Sequence, residues 1–157
     1  MLTCVFEDGH PAFFRHAVAD CIVVKENDIL LVKRSAGLQE AGKWALAGGY
    51  VERDETLAEA AAREVFEETG YRISAITLLR IVDHPRRPRE DRQNIAFVFF
   101  CAAGKKEGAP DWESETQQWF PVNELPPEES MAFDHCENIA LYKKYLASPF
   151  PLPILGS

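Results

Sequence analysis

Apolar runs with strand character open the chain and set its first elements. His16 to Lys25 and Ile29 to Lys33 are rich in aliphatic and β-branched residues and are parted by Glu26-Asn27-Asp28, which predicts two strands joined by a hairpin turn. Ser35 to Gly42 reads as a loop, and Trp44 to Val51 regains strand character, interrupted by Gly48-Gly49. The pattern then changes period. Thr56 to Thr69 carries apolar or small residues at helical spacing and is followed by Gly70 at the C-terminal cap, with Asp54 as the expected N-cap and Glu55 adding negative charge at the helix start. Ile73 to Val82, Asn94 to Cys101 and Gln117 to Val122 predict further strands. Asp134 to Leu146 predicts a second helix, its apolar side formed by Ile139, Leu141, Tyr142 and Leu146. Several strands with two helices imply an α+β fold, a mixed β-sheet flanked by helices.

Length and composition narrow this further. A chain of 157 residues suits one domain spanning 1–157, with residues 1–14 as an N-terminal extension and 148–157 as a Pro-rich tail, packed or flexible. No apolar run nears the ~20 residues that span a bilayer and no basic, apolar leader opens the chain, so the expected location is cytoplasmic, without a membrane partner. The net charge of −8 argues against a nucleic acid polymer as partner, but bound divalent cations would invert the local potential for a small anion. The four cysteines form no Cys-x-x-Cys pair. Cys4, His10, His16 and Cys21 are zinc-ligand types at loose spacing, and Cys21 sits in the apolar run of the first long strand, where packing explains it.

Chemistry concentrates on the first helix. Glu64, Glu67 and Glu68 stand at i, i+3 and i+4, so three carboxylates crowd one side. Such neighbours repel by roughly 0.2–0.5 kcal/mol per exposed pair. Leu57, Ala60 and Ala61 share the stripe and turn it inward, and only Arg63 lies close, at its edge. Inward carboxylates without matching cations call for a metal, and oxygen-only ligands favour Mg²⁺ or Mn²⁺.

The full spacing Gly49-x₅-Glu55-x₇-Arg63-Glu64-Val65-x-Glu67-Glu68-x-Gly70-Tyr71 resembles the Nudix box of the Nudix hydrolases, with all seven fixed polar and glycine positions present. With equal residue usage, seven such matches arise by chance in roughly one in a billion placements. The likeness extends to Gly42 through Glu52, with Ala47 where proline is frequent, to Phe13 through Arg34, and to Trp119 through Leu125.

The resemblance implies an αβα sandwich and a metal-dependent pyrophosphohydrolase, which cleaves a nucleoside diphosphate linked to another moiety by water attack on phosphorus. Glu67 and Glu68 then match the metal-binding glutamates, with the Gly48 carbonyl as a further ligand. Glu64 binds metal or orients the water, and Arg63 forks onto Glu55 or Glu64. Glu113 and Glu115 are the candidates for a general base outside the box, Glu113 preferred. For substrate, Arg34 and the loop His84 to Arg92, Arg86 foremost, are the candidate cations. Trp44 leads the aromatics Phe14, Phe97 and Phe99 as a base-stacking surface. A homodimer is compatible with the family. The alternative function is a catalytically silent nucleotide-binding sensor or regulatory module, although such modules usually lose box glutamates and none is missing here.

Overall fold

The structure is a computed structural model and describes residues 2–87 and 93–156. Leu2–Val5 (β1) and Pro11–Phe14 (β2) pair antiparallel in a hairpin separate from the main sheet. The hairpin exposes Val5, Phe6, Phe13 and Phe14.

The main sheet contains Ala17–Lys25 (β3), Asp28–Arg34 (β4), Trp44–Ala45 (β5), Ala47–Tyr50 (β6), Tyr71–Val82 (β7), Ile95–Lys106 (β8), Ser114–Pro121 (β9) and Ile154–Leu155 (β10). Its order is β10-β7-β8-β3-β4-β5, with β6 on β3 and β9 on β4. It is mixed: β3 runs parallel to β8 and β10 parallel to β7, while the remaining pairs are antiparallel. The strand β3 changes partner along one edge. Val18 to Cys21 pair with β6, whereas Val23 to Lys25 pair with β4. The sheet forks at that point, and the fork is where the cleft described below opens.

Leu57–Thr69 (α1) and His135–Ala147 (α2) cover opposite faces. Period-two alternation along β3 and β4 explains why both faces are apolar. Cys21, Val23, Leu30 and Val32 pack toward Ala60, Ala61 and Val65 of α1. Ile22, Ile29 and Leu31 pack with Leu79 and Val98 toward Ile139 and Tyr142 of α2. The result is the expected α+β sandwich, a mixed sheet between helices. Among the described residues, no helix is long and apolar enough to cross a membrane.

Some boundaries differ from the sequence expectation. The N-cap of α1 is Thr56, not Asp54: the Thr56 hydroxyl accepts from the Glu59 N–H, and the Glu59 carboxylate accepts from the Thr56 N–H. That reciprocal box is worth about 1 kcal/mol, and Asp54 instead holds a left-handed turn conformation at φ 69°. The strand β8 runs on to Lys106, past the apolar segment, because β7 continues to pair with it out to Tyr71. The tail is packed, with β10 pairing on β7 and the Gly156 N–H donating to the Ile81 carbonyl.

Candidate active site

The double glycine lets β3, β6 and α1 approach one another closely. A Cβ on Gly48 would lie 2.2 Å from the Ala19 carbonyl oxygen of β3. A Cβ on Gly49 would lie 2.5 Å from the Glu64 carboxylate of α1. Only glycine leaves that space. Across it, the Gly48 N–H donates to Glu68 Oε2 at 3.1 Å.

Arg63 is the hub of the box. Its Nε and Nη2 fork onto both oxygens of Glu55 at 3.0 and 2.8 Å, Nη1 donates to Glu64 and Glu67 at 2.9 and 3.0 Å, and Nη2 also reaches the Tyr50 carbonyl at 2.9 Å. The sequence left Glu55 and Glu64 as alternative partners; both are held, and Glu67 with them. The picture of three inward carboxylates with a cation only at the margin is corrected here. Glu67 is exposed, Glu64 half-buried and only Glu68 deeply buried, and one guanidinium reaches forward a full helical turn to gather the outer two. Among the described residues, no three His, Cys, Asp or Glu side chains are already gathered as a cation cage.

Burial dominates the electrostatics. It pushes the Glu64 carboxyl up to about 7 against the opposing pull of Arg63. It pushes Glu68, 4% exposed, well above the usual carboxylate range, opposed by the Gly48 N–H and aided by the charge of Glu64. Glu55 moves down, held by the Arg63 hydrogen bonds. Glu113 moves up, from burial and then from Asp111.

Gly70 connects the box to Glu113. It takes the left-handed conformation at φ 74°, and a Cβ there would lie 2.1 Å from the Gly108 carbonyl oxygen. Its own carbonyl accepts from the N–H groups of Glu107 and Gly108, and the Asp111 N–H donates to the Glu67 carbonyl. The loop thus pinned to the end of α1 carries Glu113 to the cleft wall. Glu115 faces away, exposed and 3.8 Å from Lys33.

The cleft has a volume of about 430 Å³, and its walls include Gly48, Gly49, Arg63, Glu64, Glu67 and Glu113. Arg34 lines it too, its guanidinium 5.1 Å from the Phe133 ring centroid and its Nε donating to the Gln39 carbonyl at 2.7 Å. Two substrate candidates fall elsewhere. Trp44 packs edge-on against Phe120 at 5.0 Å in the α2-side core, because its strand β5 is anchored there to β4. Arg86 is exposed and off the cleft walls, whereas its neighbour Arg87 is buried in the inner wall, drawn in by a two-pronged bond to Asp134. Arg89 and Arg92 lie outside the described residues. Of the other aromatics, Phe14 is exposed on the hairpin, and Phe97 and Phe99 belong to the α1-side core.

Sequence reasoning missed Asp20, Phe133 and His135, which line the inner end of the cleft beside Arg87, a member of the basic loop that the sequence did offer. One signal was present: Asp20 is a charge inside the apolar run of β3. Asp134 and His135 read only as the start of a helix. In the structure the Leu46 N–H donates to His135 Nδ1 at 2.9 Å, which puts the proton of the neutral ring on Nε2.

Among the described residues, six carboxylates and three guanidiniums line the cleft, namely Asp20, Glu52, Glu64, Glu67, Asp111 and Glu113 against Arg34, Arg63 and Arg87. An anionic ligand would be repelled unless cations accompany it. Oxygen-only donors with an anionic surplus, and a buried Glu68 that among the described residues has a single hydrogen-bond donor, fit a hard divalent ion such as Mg²⁺ or Mn²⁺.

A family model described as the NUDIX domain matches residues 14–141. An ADP-ribose pyrophosphatase of Methanocaldococcus jannaschii is 36% identical over 137 residues, covering 87% of this chain and 75% of that protein. An NAD-capped RNA hydrolase, NudC, of Vibrio parahaemolyticus is 33% identical over 68% of this chain, which spans 40% of that protein's length. Among solved structures, a Nudix hydrolase from Nitrosomonas europaea superposes with a TM-score of 0.78 at 24% identity, over 99% of this chain and 92% of that one, a likeness of fold.

Proposed function

The chain belongs to the Nudix hydrolase family, and from that premise we propose that it is a pyrophosphohydrolase dependent on Mg²⁺ or Mn²⁺, cleaving ADP-ribose or a closely similar nucleoside diphosphate derivative. The observation that carries the reading is the Arg63 hub, which ties Glu55, Glu64 and Glu67 together beside the buried Glu68 and the Gly48-Gly49 gap. The adenosine diphosphate part rests on the name of the Methanocaldococcus jannaschii relative.

Glu64, Glu67, Glu68 and the Gly48 carbonyl would hold the cations. Bound there, they would neutralise the phosphoryl oxygens and lower the pKa of water. Arg63 keeps the three outer carboxylates in a fixed relation, so little reorganisation is left for the reaction. Glu113, raised by burial and close to the same wall, accepts the proton of the attacking water. Arg34, held by the Gln39 carbonyl and close enough to Glu68 and Glu113 to pull on both, offers positive charge to the diphosphate. Attack at one phosphorus breaks its bond to the bridging oxygen, and ADP-ribose would yield AMP and ribose 5-phosphate.

The test is chromatographic detection of AMP from ADP-ribose, within a panel of nucleoside diphosphate derivatives. It is run with Mg²⁺, with Mn²⁺ and with EDTA, and Glu67→Gln serves as control. Turnover that survives EDTA, or a control variant with full activity, would remove the metal role assigned here.

A further inference from the structure

Asp20 is a carboxylate inside an apolar strand, 7% exposed, at the inner end of the cleft. It lies opposite Gly48 in the β3–β6 register, where a Cβ on Gly48 would be 3.0 Å from its Oδ1. Arg87 Nη2 and His135 Nε2 approach Oδ2 to 3.6 and 3.8 Å, both beyond hydrogen-bond distance. Arg87 is already engaged by Asp134 through Nε and Nη2. Among the described residues, none donates a hydrogen bond to the Asp20 side chain. A buried carboxylate left this way is costly unless a ligand brings the donors. A phosphate carries like charge, and Arg87 at 3.6 Å already balances the charge of Asp20 without donating a hydrogen bond to it, so the fitting complement is a neutral N–H or O–H group.

His135 supplies the other half of the pattern. With Nδ1 occupied by the Leu46 N–H, its Nε2–H is the free donor. A carboxylate acceptor and an imidazole donor 3.8 Å apart, flanked by apolar Val18 and Leu46 and by the Phe133 ring, match the edge of a flat heterocycle that presents an amino group beside a ring nitrogen.

We infer that Asp20 and His135 form the base-reading end of the cleft, Asp20 accepting from the exocyclic amino group of adenine and His135 Nε2–H donating to the adjacent ring nitrogen. This rests on the reading above, in which the substrate carries an adenosine diphosphate moiety. A 6-oxo purine would set an acceptor against the Asp20 carboxylate, so the pair selects against it.

Calorimetric titration of the wild-type chain with ADP and with inosine 5′-diphosphate, both in Mg²⁺, tests the assignment. ADP is expected to bind about tenfold or more tightly. Asp20→Asn, whose amide can donate to a 6-oxo group, should bring the two affinities within about threefold, mainly by weakening ADP. Equal affinities in the wild type, tighter inosine diphosphate, no binding of either, or an Asp20→Asn variant that weakens both equally would each overturn it. The wild-type comparison decides the matter even if the variant does not fold. Hydrolysis is scored separately. ADP preference without AMP release would sink the pyrophosphohydrolase reading alone, and turnover without base preference would sink only the role of Asp20 and His135.

Discussion

Gly49 and Glu64 occupy one space: the Cβ that Gly49 lacks would sit 2.5 Å from the Glu64 carboxylate. Gly48 differs in what it faces, since its missing Cβ would meet the Ala19 backbone carbonyl at 2.2 Å. A carboxylate at the end of a side chain can swing away, whereas the backbone of a central strand cannot. Gly49→Ala is therefore expected to cost about 1 kcal/mol or less in stability but about 100-fold in kcat/KM. Gly48→Ala should cost roughly 1–3 kcal/mol in stability. Urea denaturation alongside steady-state kinetics distinguishes them. Equal effects of the two variants on both measurements would contradict this division.

Arg63→Lys retains charge and loses the fork. A lysine cannot hold both oxygens of Glu55 and also reach Glu64 and Glu67. The expected result is a fall of about 100-fold in kcat with a loss of about 1 kcal/mol in stability, because the pairs to Glu55 and Glu64 are partly buried. Wild-type kcat in Arg63→Lys would show that charge alone suffices.

Gly70 and Glu113 should give separable defects. Glu113→Gln is predicted to lower kcat by about 100-fold or more with little change in stability. Gly70→Ala forces a Cβ into the left-handed conformation and toward the Gly108 carbonyl, at a cost of roughly 1–3 kcal/mol, and shifts the loop that bears Glu113. It should lose stability and kcat together.

Stability without divalent metal should depend on pH through Glu64 and Glu68. The folded Glu64 carboxyl sits at about 7, above its unfolded value of about 4.3, so folding takes up a proton between these limits. That contribution is complete below the unfolded value and is lost as pH rises through the folded one, roughly 2 kcal/mol of it for Glu64 between pH 5.5 and pH 8, with Glu68 acting in the same direction. His135, kept neutral by burial, opposes this below its ordinary imidazole range. Denaturation in EDTA at pH 5.5 and pH 8 should therefore show a fall with rising pH. Glu64→Gln should reduce the fall, and Mg²⁺ should restore stability more at pH 8 than at pH 5.5. A Glu64→Gln variant with an undiminished fall would exclude Glu64 as its source.

What the chain encodes locally could be read directly. The spacing of Glu55, Arg63, Glu64, Glu67 and Glu68 between Gly49 and Gly70 lies within one strand end and one helix, and periodicity alone brings those residues together. The nearly unbroken apolar runs of β3 and β4 announce a sheet covered on both faces. The inner end of the cleft depends on residues far apart in sequence. Asp20, Arg87 and His135 converge only because β3 pairs with β6 on one side and β8 on the other, and because α2 closes the far face. The same long-range packing takes Trp44 into the core and selects Arg87 over Arg86, since a guanidinium is drawn inward only where a buried carboxylate such as Asp134 receives it. Side-chain period is a local property of the backbone, whereas which cation meets which acid is settled by strand pairing and burial.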